Sequence, residues 1–261
     1  MYILERIKKI DRFFGKVGLT VGNFEGFHRG HREIIRTLVS SSRSRGLSAV
    51  AVTFKEHPLK ELHGIEPERL TLPHEKVVNL CDAGIDLLFY LDFSSELAGT
   101  KPGDFLELLQ NQLAPKLLCL GKGFRFGRDN RGDIEYLKSH ANRFNYELQV
   151  VEDVVHDGFP VSSTRIRDAV KRGDFELARA MLDRPYHLYV TGVPERSLLH
   201  PLCTNCASPE SGRYTCVLHC VNRDSHVEVR VGRTVTGFRI ETGPQPEKEC
   251  LYKLSFLGSA V

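Results

Sequence analysis

Nowhere do the 261 residues approach the roughly 20 consecutive apolar side chains that a helix needs to cross a bilayer, so no helical membrane span is expected. The first residues, Met1 to Lys9, mix Glu5 with Arg6, Lys8 and Lys9 and contain no apolar core, which argues against a secretory signal. Charge of one sign is also scarce. Lys and Arg number 36 against 33 Asp and Glu, and the formal net charge of +3 sets aside a nucleic-acid coat and a polybasic membrane anchor. A local basic pocket remains compatible with it. Seven cysteines cannot all pair, and Cys81 and Cys119 fall in apolar segments, so reduced thiols in a cytoplasm are expected. Internal repeats and low-complexity stretches are lacking. Hydrophobic residues, at 41%, are sufficient for one substantial domain and a second small one.

What the chain does contain is alternation. Apolar runs of strand length at Val17–Val21, 49–54, 86–91, 117–120 and Glu147–Val151 are separated by segments of helical period. Residues 32–39 place Ile34, Ile35, Leu38 and Val39 on one helical face, and Pro73 suits a first helical turn leading into Val77, Val78 and Leu80. Phe105, Leu106, Leu108 and Leu109 mark a further helix, and Ile134–Phe144 another. Residues 166–182 break at Arg172-Gly173-Asp174, where glycine ends one helix and aspartate caps the next. This is the pattern of an α/β domain with a doubly wound parallel sheet, which takes ligands beyond the carboxyl ends of its strands. After Pro185 the runs at 214–221, 226–231, 238–242 and 251–256 alternate and are bounded by turn residues, so a small β domain is expected.

The first strand runs into Gly22-Asn23-Phe24-Glu25-Gly26-Phe27-His28-Arg29-Gly30-His31, and a helix follows at once. Glycines allow backbone N–H groups to approach a phosphate, and the helix start adds partial positive charge. Two histidines three apart at that point suit an anion arriving over the loop, and in nucleotidyl transfer such donors stabilise the charge that gathers on the α-phosphate. By itself His-x-x-His also fits a surface cap or a metal site. Ser162-Ser163-Thr164, at another helix start, offers hydroxyls and amides to phosphate oxygens, with the Arg167 guanidinium one turn on; an ordinary cap with a solvated arginine is the plainer reading. Phe54, Phe124 and Phe126 lie at or after strand ends, where flat rings could sandwich an aromatic ligand or simply fill a core.

The segment from Gly22 to His31 resembles the signature of the histidine-type nucleotidyltransferases, and in particular the FMN adenylyltransferase module of prokaryotic bifunctional riboflavin kinase/FAD synthetases. Three more segments resemble that module in order: Val52-Thr53-Phe54-Lys55-Glu56-His57-Pro58, Gly121-Lys122-Gly123-Phe124-Arg125-Phe126-Gly127 and Val161-Ser162-Ser163-Thr164-Arg165-Ile166-Arg167. The resemblance covers about two-thirds of the chain. It implies a Rossmann-like transferase domain over 1–185 that moves AMP from ATP to FMN, giving FAD and pyrophosphate with Mg²⁺ accompanying ATP. His28, His31 and Arg167 are the implied catalytic residues. Gly22, Asn23, Phe24, Gly30, Gly121, Ser163 and Thr164 would meet ATP; Phe54, His57, Pro58, Phe124, Phe126, Gly127 and Ser162 would meet FMN. No all-protein metal site and no nucleic-acid partner are implied.

The chain departs from that family at Gly123, where aspartate or asparagine is usual, and at Glu56, where proline is usual. The riboflavin kinase barrel of the family carries Gly-x-Pro-Thr-Ala-Asn; here the counterpart is His200-Pro201-Leu202-Cys203-Thr204-Asn205, and 76 residues follow Pro185. Residues 186–261 are accordingly expected to be a shortened relic of that barrel without kinase activity. Cys203, Cys206, Cys216 and Cys220, with His200 and His219, form a zinc-like cluster in sequence, although strand alternation explains Cys216 and Cys220 as packing. Two rival readings are a nucleotidyltransferase with another phosphate acceptor and a catalytically idle flavin-binding protein. The Phe54/His57 segment and the Phe-x-Phe-Gly loop argue against the first, and the paired histidines with Arg167 against the second.

Overall fold

The computed structural model describes residues 1–6, 15–193, 198–220, 223–234, 237–242, 246 and 250–260. The chain forms two compact units, one of residues Met1–Pro67 and Pro73–Val155, the other of Glu68–Leu72 and His156–Val261.

In the first unit, strands β1 (Tyr2–Leu4), β2 (Val17–Val21), β3 (Ser48–Phe54), β4 (Leu87–Leu91), β5 (Leu117–Gly121) and β6 (Glu147–Val151) form one sheet in the order β1-β4-β3-β2-β5-β6. Every pairing is parallel. The central strand β3 is buried along nearly its whole length, as a strand covered on both faces must be, whereas β1 and β6 lie at the edges and are more exposed. One face packs Val50, Val52, Leu87 and Phe89 against helices α5 (Pro102–Leu113) and α6 (Ile134–Phe144); the other packs Ala49, Ala51, Leu88 and Cys119 against α1 (Arg29–Ser44) and α3 (Pro73–Asp82). The short helices α2 (Pro58–His63) and α4 (Ser95–Gly99) sit after β3 and β4. Succession β2, β3, β4 runs one way across the sheet and β5, β6 the other. The reversal lies between β2 and β5, and the loops leaving those two strands begin at Gly22 and Lys122. All five expected strands and the helices between them are present. The three-residue edge strand β1 is an addition to them, since so short a run gives no period to read.

Along the chain the hairpin strands β7 (Val155–His156) and β8 (Phe159–Pro160) come next, turned by Asp157 and Gly158 at φ 51° and 78°. An Asp-Gly pair is a common two-residue hairpin turn, and the pair is legible in the sequence. Helices α7 (Ser163–Lys171) and α8 (Phe175–Leu182) follow, the break falling at Gly173 and the Asp174 side chain capping Leu177 N–H. Strands β9 (His187–Val193), β10 (Leu198–Pro201), β11 (Gly212–Cys220), β12 (Arg223–Thr234), β13 (Gly237–Thr242) and β14 (Leu251–Ser259) close into an antiparallel barrel in the order β10-β13-β12-β11-β14-β9. Val221, the expected end of a strand, lies outside the described residues. The pairing of β9 with β10 completes the six-stranded closure.

Helices α7 and α8 fall in the same compact unit as the barrel. Phe175 of α8 stacks on Phe256 at 4.7 Å and meets Tyr214 edge-on at 5.6 Å, so the two helices belong with the barrel by packing. Glu68–Leu72 joins the same unit: Arg69 N–H donates to Asn205 O at 2.7 Å and accepts at its own carbonyl from Ala207 N–H at 2.8 Å. No helix among the described residues is long and apolar enough to cross a membrane.

Candidate active site

Beyond β2 the backbone enters a tight turn in which Phe24 and Phe27, both bulky, take left-handed φ values of 51° and 42°. Such conformations cost free energy on the order of 1–3 kcal/mol each and persist only where the surroundings impose them. Here the rings are buried among Ile35, Leu38 and Ala51, which holds the turn and delivers His28 to the N-cap of α1. The His28 Nδ1 accepts from His31 N–H at 3.4 Å, and the two imidazoles stack at 3.7 Å with an interplanar angle of 18°. Phe24 meets His31 edge-on at 5.4 Å. His28 is buried and His31 half-buried, yet the His31 Nδ1 is shielded from solvent and has no hydrogen-bond partner among the described residues. Burial pushes the His31 pKa well below its ordinary 6.5, and the neighbouring His28 and Lys76 push it further the same way. The pair is thus a stacked imidazole couple over a helix start, its His31 member held toward the neutral form. Gly30 occupies the first turn of that helix, and Gly22 N–H is tied to Val52 O at 3.0 Å.

Lys76, which sequence reasoning passed over, is the unexpected member of this site. Only 2% exposed, it donates from Nζ to the Asn23 Oδ1 at 3.3 Å and to the Phe54 carbonyl at 3.0 Å. Thr53 Oγ1 donates to Asn23 O at 3.2 Å. A signal did exist. Lys76 lies four residues before Leu80 and so shares the apolar face of α3, where a charge is out of place.

The residues expected near flavin divide by packing. Phe54 and Phe126 are core members, Phe54 set edge-on to Phe93 at 5.0 Å, while Phe124 is half-buried and stacks on Phe126 at 5.5 Å. His57 caps α2 by accepting Leu59 N–H at 3.2 Å, with Pro58 in the first helical turn. Gly127 takes φ 70° and lies so close to Pro102 that a Cβ would sit 2.9 Å from it. Gly121 ends β5. At the two departures, Glu56 pairs with Lys60 at 3.3 Å, and a side chain at Gly123 would meet nothing within 4 Å.

In the second unit, Ser162 caps α7 by accepting Arg165 N–H at 3.3 Å, and Ser163 and Thr164 form its first turn. Arg165 braces the hairpin, donating to the Phe159 and Pro160 carbonyls at 2.9 and 2.8 Å. Arg167 donates from Nε to the Glu68 carbonyl at 2.5 Å, and Lys171 pairs with the Glu68 carboxylate at 2.8 Å. No disulfide joins any of the seven cysteines, and burial pushes the thiols of Cys119 and Cys216 up to about 12. No group of three or more His, Cys, Asp or Glu side chains among the described residues could hold a metal ion.

The sequence profile of the FAD synthetase family matches residues 12–165, a span that contains both histidines and the segments 52–58 and 121–127. The chain belongs to the FAD synthetase family. Two relatives show how the chain compares in extent. It is 32% identical over 171 residues to the bifunctional riboflavin kinase/FMN adenylyltransferase of Escherichia coli (strain K12), covering 64% of this chain and 54% of that protein. It is 30% identical over 216 residues to the FAD synthetase of Listeria monocytogenes, covering 82% of this chain and 86% of that one. The chain therefore spans about half the length of the bifunctional relatives it matches. Among solved structures, a macrolide-efflux protein from Streptococcus pneumoniae superposes with a TM-score of 0.85 at 24% identity, over 100% of this chain and 91% of that one, a likeness of fold.

Proposed function

We propose that this chain is an FMN adenylyltransferase acting in the cytoplasm on small-molecule substrates. An FMN phosphate oxygen attacks the α-phosphorus of ATP, a new P–O bond forms, and the bond to the β-phosphate oxygen breaks to release pyrophosphate. The observation that carries this reading is the His28–His31 stack, fixed at a strained turn and helix start at the switch point of the sheet. Imidazoles fixed there are donors preorganised for charge that develops on the α-phosphate, and they do not need to reorganise during the reaction. Gly22, Asn23, Phe24, Gly30 and Gly121 are assigned to ATP, and Ser163, Thr164 and Arg167 to its polyphosphate. Phe124 is the ring best suited to lie on the flavin, since it is half-buried where Phe54 and Phe126 are committed to the core. His57, Pro58, Gly127 and Ser162 complete the FMN assignment.

Magnesium enters as part of the MgATP substrate. A cation held by phosphates and water requires no carboxylate cage from the protein. Bound in that way it would offset the charge of the leaving pyrophosphate. We assign the transfer to residues 1–185 and no riboflavin kinase activity to the barrel, whose His200-Pro201-Leu202-Cys203-Thr204-Asn205 segment lacks the glycine approach and the Pro-Thr-Ala order. Incubating the protein with FMN, ATP and Mg²⁺ and separating products by chromatography tests the reading. FAD and pyrophosphate are expected in equal amounts; their absence, with the protein folded, overturns it.

A further inference from the structure

A lysine at 2% exposure is a costly feature, because removing an ammonium from water costs several kcal/mol unless other groups take the place of the solvent. Lys76 meets two neutral oxygens in a defined place. Asn23 stands two residues past the end of β2, Phe54 is the last residue of β3, and β2 and β3 are neighbours in the sheet. The ammonium therefore bridges the carboxyl ends of adjacent strands at the point where one runs into the histidine loop and the other into the flavin segment. With its Oδ1 on Lys76 and its carbonyl on Thr53, Asn23 is held by both side chain and backbone. The loop carrying His28 and His31 is thereby referenced to β3 and α3 as well as to its own strand.

We propose that Lys76 is a positioning residue for adenylyl transfer: its buried ammonium clamps Asn23 to the Phe54 carbonyl, fixing the histidine loop and adding positive potential where phosphate charge develops. This rests on the adenylyltransferase reading above. The same cation bears on His31, which it helps to keep neutral. The titratable groups around that imidazole are His28 in its cap and Lys76 from α3. Glu25 is the buried carboxylate of the intervening turn, Arg29 and Arg32 flank His31 along α1, and Glu33 pairs with Arg36 at 3.0 Å.

Lys76→Met, which keeps the length of the side chain and removes the charge and the donors, is the test. In the full-length protein kcat should fall by about 10²-fold, the scale of a small misplacement of reacting groups, while KM for ATP and for FMN stays within a few-fold. Combining it with Asn23→Ala should cost no more than the larger single loss, because both remove one clamp. In the ligand-free protein, the His31 ring signal in NMR should begin to protonate at higher pH than in wild type. Lys76→Gln carries the same expectations for the histidine signal should the methionine variant not fold. A kcat near wild type, a loss confined to KM, or an unmoved His31 titration overturns the proposal. If wild type itself makes no FAD, the adenylyltransferase reading fails, and the His31 titration still decides whether Lys76 governs that ring.

Discussion

Replacing His31 with alanine separates what the ring does for the fold from what it does for the reaction. For the fold, the ring contributes a stack on His28 at 3.7 Å and an edge contact with Phe24 at 5.4 Å. Its Nδ1 has no hydrogen-bond partner among the described residues, so truncation strands nothing there. Two aromatic contacts of this kind are together worth about 1–2 kcal/mol, the expected destabilisation near neutral pH. Acid works against that gain. Below pH 6.5 the unfolded chain protonates this imidazole while the folded protein, whose His31 pKa is lowered, does not. The unfolded state then binds the extra proton, and the folded state loses up to ~1.4 kcal/mol per pH unit until the depressed folded value is reached. Alanine carries no such burden, so the variant's deficit should shrink from about pH 7.5 to about pH 5.5, as read by urea unfolding followed by circular dichroism. For the reaction, losing one preorganised donor should lower kcat by about 10²–10³-fold, measured as FAD formed by the folded variant at neutral pH. Turnover within a few-fold of wild type, or a stability deficit that widens with acid, would refute the reasoning.

Phe124→Ala should raise KM for FMN more than KM for ATP, since lost stacking is worth about 0.5–1.5 kcal/mol, whereas Phe54→Ala should also lower stability by about 3 kcal/mol because its ring lies in the core. Thermal unfolding and the two KM values check both, and equal losses for the two substrates would place the flavin elsewhere. Gly132→Ala should destabilise by about 1–3 kcal/mol and weaken FMN, because its Cβ would lie 2.6 Å from the Phe126 ring on which Phe124 stacks. An unchanged melting temperature would contradict that geometry. Riboflavin with ATP should yield neither FMN nor FAD; steady accumulation of FMN by the pure protein would assign a kinase to the barrel.

Much of this architecture is local in origin and legible in the order of residues alone. Buried parallel strands are apolar runs, and the helices that cross between them carry a 3.6-residue period. The glycine that separates α7 from α8 and the aspartate that caps α8 are short-range devices, and the loop from Gly22 to His31 is contiguous. By itself the sequence thus determined the order of the elements, the sheet type, the histidine pair and the family. Other features arise between residues far apart in the chain, and only the tertiary structure decided them. Barrel closure depends on the pairing of β9 with β10, and a three-residue strand becomes a strand only because β4 offers it an edge. The grouping of Glu68–Leu72 with the second unit rests on hydrogen bonds to Asn205, Ala207 and Arg167. A phenylalanine at a strand end carries no local mark of whether it faces a ligand or a core, so Phe54 and Phe124 became distinguishable only once packed. Lys76 shows the same limit from the other side. Its position on an apolar helical face hinted at burial, but the partners that make a buried ammonium tolerable, Asn23 and Phe54, lie 53 and 22 residues away and meet it only in the folded chain.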